Sequence, residues 1–448
     1  MAFRSILQRG SLAFALGTAA LLSACSDDSG SGGTSSASAG TGGEGGSVGS
    51  VGEGGTGGEG GSGGVDTVGE GGSGGAGTGG EGGSGGADPG AGGGGGDAET
   101  GAIQPNPIIS RGKPAFASVG TASMINDGKY RSAGNWSAGK PTAEEPAWVA
   151  IQVGDGFERL LLSWTASYNY NYTDVQYGAP AAYRVETSSD STNGADGTWT
   201  PVATVTDNPV RTRAHSFDFS GQRWVRLVVT AAPDVSDNGV QIDEIDVHDI
   251  SNGAEDTWFF LGDSITAFAY DRDTPATQPS FAENIHEAHA AYYPAMINGG
   301  IGGELTKASD DRPSALDRID QVLEMNPDYR FFAIGYGTND SWDQTDPSTF
   351  KKNLQTLIDK IKEAGRVPVL ARIPYAPDGA HDALDVFNEA IDELTAQNDL
   401  VPGPDLYTWF KDHPEGLLDD DVHPSPAGRI AMNKLWADAV DSLYTKAP

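Results

Sequence analysis

Cysteine is nearly missing from this chain: of 448 residues only Cys25 is one, so no disulfide within the fold is possible. Positive charge is scarce as well. Against 62 Asp and Glu there are 28 Lys and Arg, a formal net charge of −34. With no basic stripe to neutralise phosphates, nucleic acid is excluded as a partner and anionic polymers are disfavoured. Such acidity serves solubility. The apolar stretch Leu12–Leu22 is too short to cross a bilayer as a mature helix. From residue 29 to about residue 100 the chain is Gly and Ser with scattered Glu, including the recurring GGEGGSGG, and has nothing to bury. That segment is expected to be a disordered tether, residues 26–102.

What precedes the tether reads as an export signal over residues 1–25. Arg4 and Arg9 form a positive flank, Leu12–Leu22 the apolar core, and Leu22-Ser23-Ala24-Cys25 the end. That last tetrad resembles the lipobox of bacterial lipoproteins. The resemblance implies lipidation of Cys25, contact with a membrane only through the lipid, and, from Ser26 after the cysteine, sorting to the outer membrane.

Several motif matches fail on context. Gly60-Gly61-Ser62-Gly63-Gly64 and Gly82-Gly83-Ser84-Gly85-Gly86 fit a G-x-S-x-G nucleophile elbow, but neither lies between a strand and a helix. His286-Glu287-Ala288-His289 puts its histidines three apart where a zinc helix needs four, and reads as a solvated helix face.

Between residues 103 and 252, short β-rich runs alternate with turn clusters: Trp148–Val153, Leu160–Leu162, Tyr183–Thr187 and Trp224–Val229. No helical stripe interrupts them, which predicts an all-β sandwich. INDGKY (125–130), YRVETSSD (183–190), GTWTPV (197–202), RWVRLVV (223–229) and DEIDVHD (243–249) together resemble the discoidin-like, galactose-binding β-sandwich family. The resemblance implies carbohydrate binding and a structural calcium near Asn126-Asp127-Gly128. In SYNYNY, Tyr168, Tyr170 and Tyr172 would face one way on a strand, either as a sugar platform or as a loop packed on the neighbouring domain.

From residue 256 to residue 446 the pattern changes. Strand-like runs at 257–261, 294–298, 329–335 and 367–373 alternate with helical stretches at about 313–325, 348–364, 382–397 and 426–444, which predicts an α/β unit with a parallel sheet. Ser425 and Pro426 suit the start of the last helix. Polar clusters follow the strand ends: Gly262-Asp263-Ser264, then Asn298 to Gly303, then Gly337-Thr338-Asn339-Asp340. A fourth, Asp420-Asp421-Val422-His423, precedes the last helix. Any one of these could be an ordinary turn or cap. Four in this order point to a site at the carboxyl ends of parallel strands.

GDSI, NGGIGG, GTND and DDVH together closely resemble the blocks of the SGNH (GDSL-type) hydrolase family. The implied fold is α/β, a three-layer parallel sheet of the SGNH, flavodoxin-like kind, preceded by the all-β sandwich. The implied chemistry is ester hydrolysis. Ser264 would be the nucleophile, His423 the base that takes its proton, and Asp420 rather than Asp421 the carboxylate that holds the imidazole. The oxyanion would be met by the N–H groups of Ser264 and Gly300 and by the amide of Asn339. Gly300 would let the backbone reach the substrate without a Cβ in the way. Asp263 and Asp340 would organise their turns. No metal or other cofactor is required. The expected substrate is an acylated carbohydrate that loses O-acetyl groups, the protein acting as a monomer. Lipase-like or thioesterase action on longer acyl chains is the alternative.

Overall fold

Two hydrogen-bonding regimes divide the chain near residue 250. The computed structural model describes residues 103–130, 134–167, 177–307, 314–377 and 384–445. All of these fall in one compact unit, Gly90–Pro448. The expected export signal, Cys25, the tether, and Tyr168, Tyr170 and Tyr172 lie outside the described residues. Among the described residues no helix is long and apolar enough to cross a membrane.

The first regime is antiparallel. Its strands are β1 (Ala115–Ala117), β2 (Trp136–Gly139), β3 (Ala147–Gln152), β4 (Arg159–Ala166), β5 (Ala182–Ser188), β6 (Thr200–Val205), β7 (Thr212–Asp218), β8 (Trp224–Ala231) and β9 (Val240–Asp249). They form a five-stranded sheet, β1-β3-β8-β5-β6, and a four-stranded sheet, β2-β9-β4-β7. Ala147, Val149 and Ile151 of the first sheet meet Leu160, Leu162 and Trp164 of the second in a single apolar cluster. The period of two that puts those residues on one face of β4 turns Leu161 to the other face. There Leu161 joins Ala214 and Ile250 in a cluster built mainly by the second regime.

That second regime is parallel. Its elements are β10 (Thr257–Gly262), α1 (Ser264–Ala269), α2 (Phe281–Ala288), β11 (Ala295–Asn298), α3 (Ala315–Met325), β12 (Phe331–Gly335), α4 (Thr338–Trp342), α5 (Pro347–Glu363), β13 (Val367–Arg372), α6 (Leu384–Gln397), β14 (Pro402–Asp405), α7 (Leu406–Asp412) and α8 (Pro426–Val440). The sheet order is β11-β10-β12-β13-β14, with every pair parallel.

All six residues of β10 are buried, as expected of a parallel strand covered on both faces. Trp258 and Phe260 face one apolar layer with α2 and α8, while Phe259 and Leu261 face the other with α3, α5 and α6. This is the expected three-layer arrangement. The last helix stops at Val440, short of the expected 444, and a 3-10 turn over Asp441–Leu443 follows it. From β10 the chain goes first to β11 on one side and then to β12 on the other. The order therefore switches at β10, and a crevice is left beyond its carboxyl end.

Candidate active site

Ser264 is the first residue of α1, directly beyond that switch point. The turn that holds it is tightly built. Asp263 caps α1 by accepting from Ile265 N at 2.9 Å. A Cβ on Gly262 would collide with Thr266 and come within 2.6 Å of Gly335 O, so the turn closes only with glycine there.

His423 reaches the serine from the loop before α8. Its Nε2 lies 2.8 Å from Ser264 Oγ and its Nδ1 lies 2.7 Å from Asp420 Oδ2. The other oxygen of Asp420 accepts from Val422 N at 3.0 Å and His423 N at 2.9 Å. Burial draws the Asp420 carboxyl upward, but hydrogen bonds from the backbone and ring of His423 and from Val422 outweigh it and hold the group below its usual range. Asp421 takes the left-handed conformation, φ 59°, and is solvent-exposed; the carboxylate on the imidazole is that of Asp420. The Phe268 ring stacks on the imidazole, centroids 4.5 Å apart at 26°. The Arg429 guanidinium also lies over the Phe268 ring, 5.5 Å from its centroid. Nothing in the sequence pattern marked Phe268; a buried aromatic four residues past the serine reads as core.

Of the three groups expected to meet an oxyanion, two are engaged with other groups of the protein. Gly300 N–H donates to Asn298 Oδ1 at 3.0 Å. Asn339 Nδ2 makes two long bonds, 3.2 Å to Asp263 Oδ2 and 3.3 Å to Glu304 O. The need for glycine at 300 also differs from the expected one. A Cβ there would sit 2.5 Å from Ala267 N and 2.7 Å from Asp263 O. The close approach is thus to the backbone of the serine turn and α1 rather than to a substrate.

Both flanking aspartates organise turns, as expected. Asp263 joins the serine and asparagine turns, and Asp340 accepts from Thr306 N at 3.0 Å and from Thr306 Oγ1 at 2.6 Å. Burial, with the charges of Asp340 and Glu304, pushes the Asp263 carboxyl up to about 7. Sequence reading missed the fully buried Glu304. It pairs with Arg318 Nε at 2.5 Å and accepts from Tyr336 OH, while Arg318 Nη2 donates to Gly299 O at 2.7 Å. These partners lie 14 to 32 residues away, beyond any local signal.

No group of three or more His, Cys, Asp or Glu side chains among the described residues could hold a metal ion. Asn126-Asp127-Gly128 does not fit the structural calcium that the sandwich resemblance implied. Arg111 pairs there with Asp246 at 2.8 Å and Glu244 at 3.4 Å. The Asn126 amide donates to Ser110 O and Lys113 O at 2.7 and 3.0 Å. One guanidinium is shared by both carboxylates there, and its positive charge would repel a dication. His286 bonds Tyr292 O at 2.8 Å and His289 bonds Asp441 at 2.7 Å, on a half-solvated helix face with no shared ligand.

A hydroxyl, an imidazole and a carboxylate in series can pass one proton from serine to a leaving group. Residues 260–429 match the model of the GDSL-like lipase/acylhydrolase family, and the chain carries a hydrolase domain of that type. It is a serine esterase. An arylesterase from Vibrio mimicus is 28% identical to the esterase over 178 residues, which cover 39% of this chain and 82% of that one. A lipase/acylhydrolase from Enterococcus faecalis is 24% identical, covers 42% of this chain and 95% of its own, and superposes with a TM-score of 0.34. A chitosan-binding module of a chitosanase/glucanase from Paenibacillus sp. IK-5 is 22% identical, with 31% and 97% coverage and a TM-score of 0.24.

Proposed function

We propose that the esterase removes O-acetyl groups from a carbohydrate, with Ser264 as nucleophile, His423 as general base and acid, and Asp420 as the carboxylate that holds the imidazole. The hydrogen-bonded series Ser264–His423–Asp420 beyond β10 carries this reading. His423 Nε2 takes the hydroxyl proton as Oγ attacks the acyl carbon, then returns it to the leaving sugar oxygen. Water repeats the cycle on the acyl-enzyme. Asp420, held ionised by its three hydrogen bonds, fixes the tautomer that presents Nε2 to Ser264 and stabilises the imidazolium. The oxyanion is met by Ser264 N–H at the start of α1, by Gly300 N–H and by the Asn339 amide. The Gly300 N–H gives up its bond to Asn298, and the long bonds of the Asn339 amide to Asp263 and Glu304 exchange for a shorter one to a charged oxygen.

Support for a sugar comes from the aromatic residues at the same end of the sheet. Tyr375 and Tyr407 follow β13 and β14 and meet edge to face at 5.5 Å, with Lys411 over both rings. Trp409, on the same short helix as Tyr407, is half-buried and stacks on His413. Such faces suit the CH-rich sides of a sugar. The paired antiparallel sheets are read as a discoidin-like sandwich that adds carbohydrate affinity. The chain is read as a monomer anchored by a lipid on Cys25 at the outer membrane, with no cofactor and no nucleic-acid partner.

The test is Ser264→Ala together with a p-nitrophenyl ester series from acetate to decanoate and acetate release from acetylated polysaccharides. The folded variant should lose turnover of the acetate ester. For the wild type, kcat/KM should fall beyond acetate or butyrate. A lipase-like groove would instead gain about 0.8 kcal/mol per buried CH₂, and a steady rise to decanoate with no polymer deacetylation would replace the carbohydrate reading.

A further inference from the structure

The antiparallel region reaches into the glycine loop of the esterase. Arg211, just before β7, has only 8% of its surface exposed. Its Nη2 donates to the carbonyl oxygen of Gly300, and its own carbonyl accepts from Ala166 N at 3.1 Å. It is therefore an extension of the β4–β7 pairing and not a loose side chain on a loop. Gly300 is held on its other side as well. Its N–H donates to Asn298, and Asn298 Nδ2 donates to Ala267 O of α1 at 3.3 Å. A continuous series of contacts thus runs from Arg211, just before β7, through Gly300 and Asn298 to the helix that begins with Ser264.

The support behind this series is a shared apolar core. β11 packs against β4 and β7, and Leu161, Ala214 and Ile250 share a core with Phe259, Leu261 and Ile297. A second grip lies beyond α1, where Tyr130 and Arg272 exchange backbone hydrogen bonds at 3.2 and 3.0 Å, and Arg272 Nε donates to Gly128 O at 2.5 Å. Both segments that leave the switch point, after α1 and after β11, are therefore held by residues from the antiparallel region.

We propose that Arg211 is a positioning residue for ester hydrolysis: by fixing the Gly300 carbonyl it sets where the glycine loop stands relative to Ser264. The inference rests on the reading of Gly300 as part of the oxyanion pocket. A guanidinium bonded to a carbonyl makes a short, charge-assisted hydrogen bond with fixed geometry. Donors for a developing oxyanion work only when held close to their final positions, and small displacements cost large factors in rate. Asp243 and Asp271 line the same small cavity as Arg211 and Asn298, so the guanidinium has carboxylates near it and does not enter the pocket as a lone charge. On this account the antiparallel region is part of the hydrolytic machinery and more than an appended binding module.

Arg211→Met keeps the apolar stem and removes the donor; Arg211→Lys keeps a charge without the planar fork. The expected result for folded Arg211→Met is a kcat lower by about ten- to a hundredfold, the scale of a lost charge-assisted hydrogen bond, with KM for p-nitrophenyl acetate within about twofold of wild type. Arg211→Lys should fall between. Inactivation by diethyl p-nitrophenyl phosphate, which develops charge in the same pocket, should slow by the same factor. Wild-type kcat in folded Arg211→Met overturns the proposal. If that variant does not fold, Arg211→Lys decides: full kcat with a lowered Tm overturns it, and reduced kcat at unchanged KM supports it. Ser264→Ala run alongside separates the two claims. Turnover in that variant sinks the site itself, whereas an inactive Ser264→Ala beside fully active Arg211 variants sinks only the role of Arg211.

Discussion

Ser264 Oγ and His423 Nε2 stand 2.8 Å apart across 159 positions of sequence. The serine is placed by a helix cap after β10, and the histidine by a loop whose own backbone N–H groups bind the carboxylate next to it. Each half is locally self-organised, and the fold has only to bring the two halves together.

Asp420 and Asp421 should therefore behave very differently although they are neighbours. Asp420→Asn is expected to lower kcat by roughly 10²–10⁴, because the imidazole loses the partner that fixes its tautomer. Asp421→Asn should leave kcat within about twofold and stability unchanged or slightly raised, since asparagine tolerates the left-handed conformation at that position. Steady-state kinetics on the two variants would decide, and equal losses would mean that the wrong carboxylate has been assigned.

Asp256 supplies a pH dependence. Burial pushes its carboxyl from 3.8 up to about 7, against the hydrogen bonds of Tyr444 and Trp258. The Tyr444 hydroxyl donates to Oδ1 at 2.8 Å, while Oδ2 has no partner among the described residues. A folded-state value above the unfolded one means that the native form binds the extra proton. This contribution to stability is full below pH 3.8 and is lost as pH rises to about 7. Asp256→Asn mimics the protonated form, so its stability relative to wild type should be more favourable at pH 8 than at pH 5. Urea unfolding at both values measures this, and an identical difference at the two pH values would contradict it.

Cys25 offers a test of location. If the Leu22–Cys25 tetrad directs lipidation, Cys25→Ala should release the chain from the membrane fraction or arrest its processing. Unchanged retention and processing would remove the anchor from the account.

Strongly patterned segments were readable from sequence. The apolar run Trp258–Leu261 became β10 and the 3.6-residue periodicities became α3, α5, α6 and α8, with ends moved by a few residues. α1 and α4 span six and five residues, too short to show a period. α2 was only half seen, although Ser280 and Glu283 form a capping box whose spacing is visible in the sequence. β14, Pro-Gly-Pro-Asp, has no strand propensity and is specified by its pairing with β13. Ser264, Asp420 and His423 were legible because their blocks are short and ordered. Arg211, Phe268 and Glu304 were not, because their roles depend on neighbours distant in the chain or on ring stacking that carries no spacing.

The two rims of the parallel sheet have a consequence for association between copies. An unpaired strand edge is a template for pairing with another chain. Here β11 lies against β4 and β7, and on the opposite rim Pro402 and Pro404 of β14 have no N–H to donate. Strand-to-strand aggregation is discouraged at one rim by cover and at the other by missing donors, so copies brought to high concentration have no open strand to join.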